Sequence, residues 1–342
     1  VWDEPFPPNF YPVRYVNRYI RNLLKNSLYD KKYGLSFNAT TAFNHDQFLH
    51  ETDQGLHLAD IYQIHGWVTK PDTTGNNGYR HYHNGPFGTH TADGIQVVYD
   101  KIYDIVRAQA IASRDFNLDY VVALQGHSWK IGNNIWYNQY LREPSLYEMI
   151  AEGNMAIGLG VQGIMWNKYS PNEREEEEWH QLYAKCLLES QSDTGIVHVL
   201  PRYTDYYGLP KWEGLKAYHK YLKKIGPALL KLTPSLTRLL HKETLPTDSV
   251  LSQVQSGWIH QGEFVSTDTN ENYVQLSYFF ENIDSAKGSK YIHIVNRRTH
   301  NRDTNIVICL RFNQIGNYRN WRVEEIGSDR VYHAVANDTI LI

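Results

Sequence analysis

Two carboxylates stand side by side at Asp3 and Glu4, after the apolar approach Val1-Trp2 and ahead of Pro5. An apolar run that ends in acids and a proline is how a buried parallel strand delivers titratable groups to the mouth of a sheet or barrel. The chemistry such a pair offers is proton transfer. One acid is held protonated as a general acid, and its ionised neighbour helps to raise that pKa. The other reading is a solvated loop, because acids beside prolines, here with Phe6-Pro7-Pro8, are ordinary turn chemistry.

The elements that would position these acids follow along the chain. Apolar residues at Val13, Val16, Ile20, Leu23 and Leu24 have helical spacing, and so do Ile95, Val98, Ile102, Ile105 and Val106 in a helix over 95–113. Strands are predicted over 33–38, 58–64, 120–125 and 161–166. Ser145 and Glu148 match a capping box that opens a helix to about Ile157. A further helix is expected over 175–188, with Glu175 to Glu178 in its first turn. A long helical stretch is expected from Lys211 to about Leu240, broken at Pro227. From Val250 the pattern turns to closely spaced strands over 273–280, 291–295, 305–312, 321–326 and 331–336. Alternating strands and helices followed by strands alone predict an α/β domain over 1–245 and a small antiparallel β-sandwich over 246–342.

Composition narrows the class. With 34 Lys and Arg against 37 acids in 342 residues, the whole chain has no electrostatic footprint for nucleic acid or an anionic membrane. No apolar run is long enough to span a bilayer. Cys186 and Cys309 are too few for a disulfide framework and read as buried thiols. The 26 Tyr and 9 Trp suit either sugar-binding surfaces or core packing. The chain opens without Met or a leader, which is no sign of a cytoplasmic location, and an extracytoplasmic one fits equally well.

The block Arg142-Glu-Pro-Ser145 through Glu148, Ala156-Ile-Gly-Leu-Gly160, Gly163-Ile164 and Trp166 is similar to the final barrel segments of β-galactosidase-like enzymes. Trp2-Asp3-Glu4-Pro5, Ala59 to Tyr62, Val122 to Gln125, Ile225 to Leu229 and Tyr291 to Arg297 fit the same order. The chain therefore resembles the later half of a (β/α)8 TIM-barrel glycoside hydrolase with its C-terminal β-sandwich. The resemblance implies the last five strands of such a barrel, counting Val1 to Asp3. Five strands leave raw edges, so an upstream segment or a partner chain would complete the closure. An open five-stranded sheet is the alternative.

Within that resemblance, Glu4 is the expected general acid and Asp3 its assisting partner. Adjacent strand residues face opposite ways, so the two converge only where the chain leaves the strand. The Asp-Glu pair of β-N-acetylhexosaminidases works in this manner, with the Asp orienting the substrate's acetamido group. A conventional retaining enzyme wants a second Glu at the end of the strand that here closes on Gln125, and an amide is no nucleophile. A substrate-assisted pair, an inverting pair with a distant acid such as Asp60, and an inactive hydrolase-like scaffold all remain open.

Other polar and aromatic residues in and after the strands outline a sugar cleft: Asn38, Asp60, Tyr62 and Gln125, then His127 and Trp129 in the loop after Gln125, and Trp166 and Asn167. The long polar segment from His65 to Asp93 could roof it. His81-Tyr82-His83 lacks the spacing of a metal site, so no metal or cofactor is expected. The expectation is a hydrolase acting on carbohydrate, with a non-catalytic carbohydrate-binding or assembly protein as the alternative.

Overall fold

In the computed structural model, the described residues are 119–126, 144–167, 209–281, 290–299 and 306–342, the short strands given below, and single helical positions within 15–23 and 103–114. Four strands lie parallel in the order β1 (Ser36–Ala39), β2 (Ile61–Gly66), β5 (Asp119–Gln125) and β8 (Gly163–Asn167). Tyr120, Val122 and Leu124 of β5 are fully buried, as the unbroken apolar run of a central parallel strand requires. Among the described residues the sheet has these four strands and is not a closed barrel. The strand expected at Val1 to Asp3 lies outside the described residues.

Helix α1 (Leu146–Gly158) covers this sheet. The expected capping box forms in full: Ser145 Oγ accepts from Glu148 N–H, and the Glu148 carboxylate accepts from Ser145 N–H at 2.8 Å. Helix α2 (Lys211–Leu229) packs on α1 around Leu146, Met149, Leu215 and Tyr218. The approach is close because Gly153 lies under the Tyr218 ring and Gly214 under Leu146. No helix among the described residues is long and apolar enough to cross a membrane.

The sequence expectation fails at three places. The helical stretch predicted to Leu240 ends at Leu229, two residues past Pro227, and strand β10 (Leu232–Leu239) follows. Leu232, Leu236, Leu239 and Leu240 imitate a helical stripe, yet Thr233 and Thr237 favour the strand, and Pro234 is accommodated at a register shift. Within the predicted helix 175–188, Gln181–Ala184 forms strand β9, which pairs with β6 (Ser128–Ile131), itself paired with β7 (Gln139–Leu141). Trp129, expected in a loop, is therefore a strand residue. The short pair β3 (Thr89–His90) and β4 (Gln96–Val97) falls in the expected long loop and at the start of the expected helix.

The antiparallel part holds one sheet of β10, β13 (Val274–Glu281) and β14 (Tyr291–Asn296), in that order. A second runs β12 (Glu263–Ser266), β11 (Leu251–His260), β15 (Ile306–Phe312) and β18 (Thr339–Leu341). A hairpin of β16 (Asn320–Glu324) and β17 (Val331–Val335) completes it. Val254, Val274, Leu276, Ile308, Leu310, Phe312 and Ala334, from both sheets and the hairpin, meet in one core. Cys309, between Ile308 and Leu310 on β15, is a buried free thiol, its pKa raised by desolvation.

A polar seam ties the two parts together. Gln275 donates to the Met155 carbonyl at 2.9 Å, Thr237 to the Gly158 carbonyl at 3.2 Å, and the Tyr103 hydroxyl to the Thr237 carbonyl at 3.0 Å.

Candidate functional site

In a parallel sheet, register partners share a face and successive residues alternate between faces. The registers run Asn38–Gln63–Val121–Gly163 and, nearer the carboxyl ends, Gln125–Asn167. On the alternate face run Phe37–Tyr62–Tyr120, and then Leu124–Trp166. Three of the expected cleft residues, Asn38, Gln125 and Asn167, thus occupy one face, together with Gln63 and His65. Tyr62 and Trp166 occupy the other. Trp129 pairs with Leu141 and Tyr183 in a separate antiparallel sheet. Asp3, Glu4, Asp60 and His127 lie outside the described residues.

The environment of Trp166 explains its face. It packs against the Leu146, Met149, Leu215 and Tyr218 cluster between α1 and α2. Its indole N–H donates to His219 Nε2 at 2.7 Å, and the two rings meet edge to face. Indole is a donor only, so the neutral His219 ring carries its proton on Nδ1. Desolvation lowers the His219 pKa, which favours that neutral form. Beside His219, burial first and Tyr221 second drive the Tyr218 hydroxyl well above the ordinary tyrosine range, and Tyr218 donates to Asn154 at 3.1 Å.

Lys211 is a residue the sequence reading missed. It opens α2, is fully buried, and directs its ammonium at the Gly126 carbonyl at 3.4 Å, just past Gln125. The contact fastens α2 to the exit of β5. Nothing local in the sequence marks this lysine, because its role depends on a contact 85 residues away. Gln63 and His65 were legible by strand parity once β2 is extended to Gly66.

By register, Gln125 and Asn167 are therefore paired at the carboxyl ends of β5 and β8, while Asn38 and Gln63 lie level with Val121, four residues earlier along β5, and the buried Lys211 ammonium lies at the β5 exit. Amide side chains in general suit hydroxyl-rich ligands, through hydrogen bonds rather than net charge. Among the described residues no group of three or more His, Cys, Asp or Glu could hold a metal ion. A cavity of about 420 Å³ lies instead at the amino ends of β5 and β8, between Arg114, Asp119, Gly163 and Leu229. It is remote from the carboxyl ends, where parallel sheets place their ligands, so we do not identify it with the site. The chain matches no protein-family model and no curated protein.

Proposed function

We propose that the chain is a glycoside hydrolase acting on carbohydrate, built on a (β/α) barrel-like domain with a C-terminal β-sandwich. Glu4 is its general acid and Asp3 the assisting partner. The observation that supports this reading is the register pairing of Gln125 with Asn167 at the carboxyl ends of β5 and β8 in a parallel sheet. Asp3 and Glu4 enter on their sequence context, as acids where an apolar run gives way to proline.

Glu4 must stay protonated to assist the leaving oxygen, and an ionised Asp3 beside it raises its pKa. Because β5 ends in Gln125, we propose that no second protein carboxylate attacks the sugar. A substrate acetamido group, steered by Asp3, takes that role. Glu4→Gln is expected to cost at least ~10²-fold in turnover of a natural glycoside. Matched glycosides with and without a 2-acetamido group, assayed on the wild-type chain, test the mechanism. Preference for the acetamido substrate fits the assisted route, and equal rates on plain galactosides refute it.

Gln125 also favours a second reading, a carbohydrate-binding protein on a hydrolase-like scaffold. Sugar binding without hydrolysis on any glycoside of the panel would select it.

A further inference from the structure

The outer face of α2 carries one sign of charge. Lys216, Lys220, Lys223 and Lys224 recur at i, i+4, i+7 and i+8, a single stripe of the helix, and all four are exposed. Leu215, Tyr218 and Ile225 form the buried face opposite. Like charges one turn apart repel, so Lys220 weakens the helix against Lys216, Lys223 and Lys224 together. An exposed helix face laced by salt bridges interleaves acids and bases. Among the described residues Glu213 answers at 3.2 Å from Lys216 and Glu325 lies near enough to act on Tyr221, while Lys224 donates to the Gly327 carbonyl. Lys220 and Lys223 have no ion pair among the described residues. The whole chain has a net charge of −3, so the stripe is a local arrangement and not the overflow of a basic composition.

Its position matters as much as its charge. His219, on the same helix, holds Trp166 near the end of β8, and Lys211 holds Gly126 past the end of β5. The stripe therefore begins beside the carboxyl end of the parallel sheet and runs away from it.

We infer that this face docks an acidic polysaccharide, a polymer of uronic acids lying along α2 and leading to the carboxyl end of the sheet. The inference rests on the carbohydrate reading above and narrows its substrate class. Ammonium groups attract carboxylates as point charges without demanding a planar fork. Four of them along roughly 12 Å of helix axis suit a linear polyanion better than one small anion. Single-stranded nucleic acid would need stacking platforms, and Tyr221 is the exposed large aromatic of α2. A membrane surface would need the apolar face of the helix, which is buried against α1.

The test uses the full chain and the variant K216Q/K220Q/K223Q, with K220E/K223E as a second variant, after thermal melts show both folded. Affinity is measured for polygalacturonate, a neutral galactan, a DNA oligonucleotide and phosphatidylserine vesicles, at low and high salt. The wild type should bind polygalacturonate more tightly than the other probes, and salt should weaken that binding. The variants should bind it about ten-fold or more weakly, with galactan affinity unchanged. Unchanged polygalacturonate binding in the variants, or tighter lysine-dependent binding of DNA or vesicles, overturns the inference. Hydrolysis is read separately: lysine-dependent binding without turnover sinks the hydrolase reading alone, and turnover without such binding sinks the docking surface alone.

Discussion

Ser145 and Glu148 each satisfy the other's backbone N–H, and both are buried. The exchange removes two of the free donors that open every helix. Ser145→Ala leaves the Glu148 N–H without its acceptor inside the protein, and water cannot replace it. The expected loss is about 1 kcal/mol, within the usual range for a cap, measured as a lower midpoint in urea with an unchanged slope. Ser145→Asp, which keeps an acceptor, should recover part of it. This motif was legible in the sequence because both partners lie within four residues. Lys211 and His219 were not, since their partners Gly126 and Trp166 are far away in the chain.

The strands of the antiparallel part were legible element by element. Expectations over 273–280, 291–295, 305–312 and 331–336 fall within a residue of β13, β14, β15 and β17. Each has β-branched or aromatic residues bounded by turns, a signal carried locally. β10 was not legible, because its leucine spacing fits a helix and its strand state is set by pairing with β13. β11 was missed for a related reason: Ser252, Gln253, Gln255 and Ser256 interrupt its apolar run, and Ser256 is nevertheless fully buried. Its amide and hydroxyl find Asn272 and Thr267 across the fold. The candidate site was legible only as residue types at strand ends. Which of them share a face waited on the registers.

Two glycines on neighbouring helices put the packing of these elements to a test. A Cβ on Gly158 would lie 2.6 Å from Gln275 Nε2, 2.7 Å from Ser277 Oγ and 3.1 Å from His293 Nδ1. Gln275 and Ser277 are fully buried and have little room to retreat, so Gly158→Ala should cost about 1–3 kcal/mol. A Cβ on Gly226 would meet nothing within 4 Å beyond its own helix and its chain neighbours. There the helical gain of alanine is set against the crowding of its Cβ on the Pro227 ring that follows, so Gly226→Ala should shift stability by less than about 1 kcal/mol, well short of the loss at Gly158. Chemical unfolding of both variants in parallel checks the pair. Equal effects of the same sign would mean that α1 does not approach the sheet this closely.

At the scale of the molecule, α1 serves both parts, since it covers the parallel sheet and seats its C-terminal turn on β13 and β14. At that seam the contacts are polar. Gln275 reaches the Met155 carbonyl, while Ser277 Oγ and His293 Nδ1 are buried without hydrogen-bond partners among the described residues. Burial lowers the His293 pKa from 6.5 to about 4. Between those values an unfolded chain binds a proton at this histidine and the folded chain does not, so acid favours unfolding. The sign is therefore fixed: the folded state loses stability as pH falls from about 6.5 to about 4, and this group adds no further loss below that. Above 6.5 both states are neutral at His293 and the contribution is flat. His293→Gln keeps a polar side chain and removes the titration. Its urea midpoint should fall less steeply than that of the wild type across this window, and the two slopes should agree above it. Parallel profiles throughout would show that the histidine at the seam is solvated, and that the contact between the two parts is looser than the close approach of Gly158 to β13 and β14 requires.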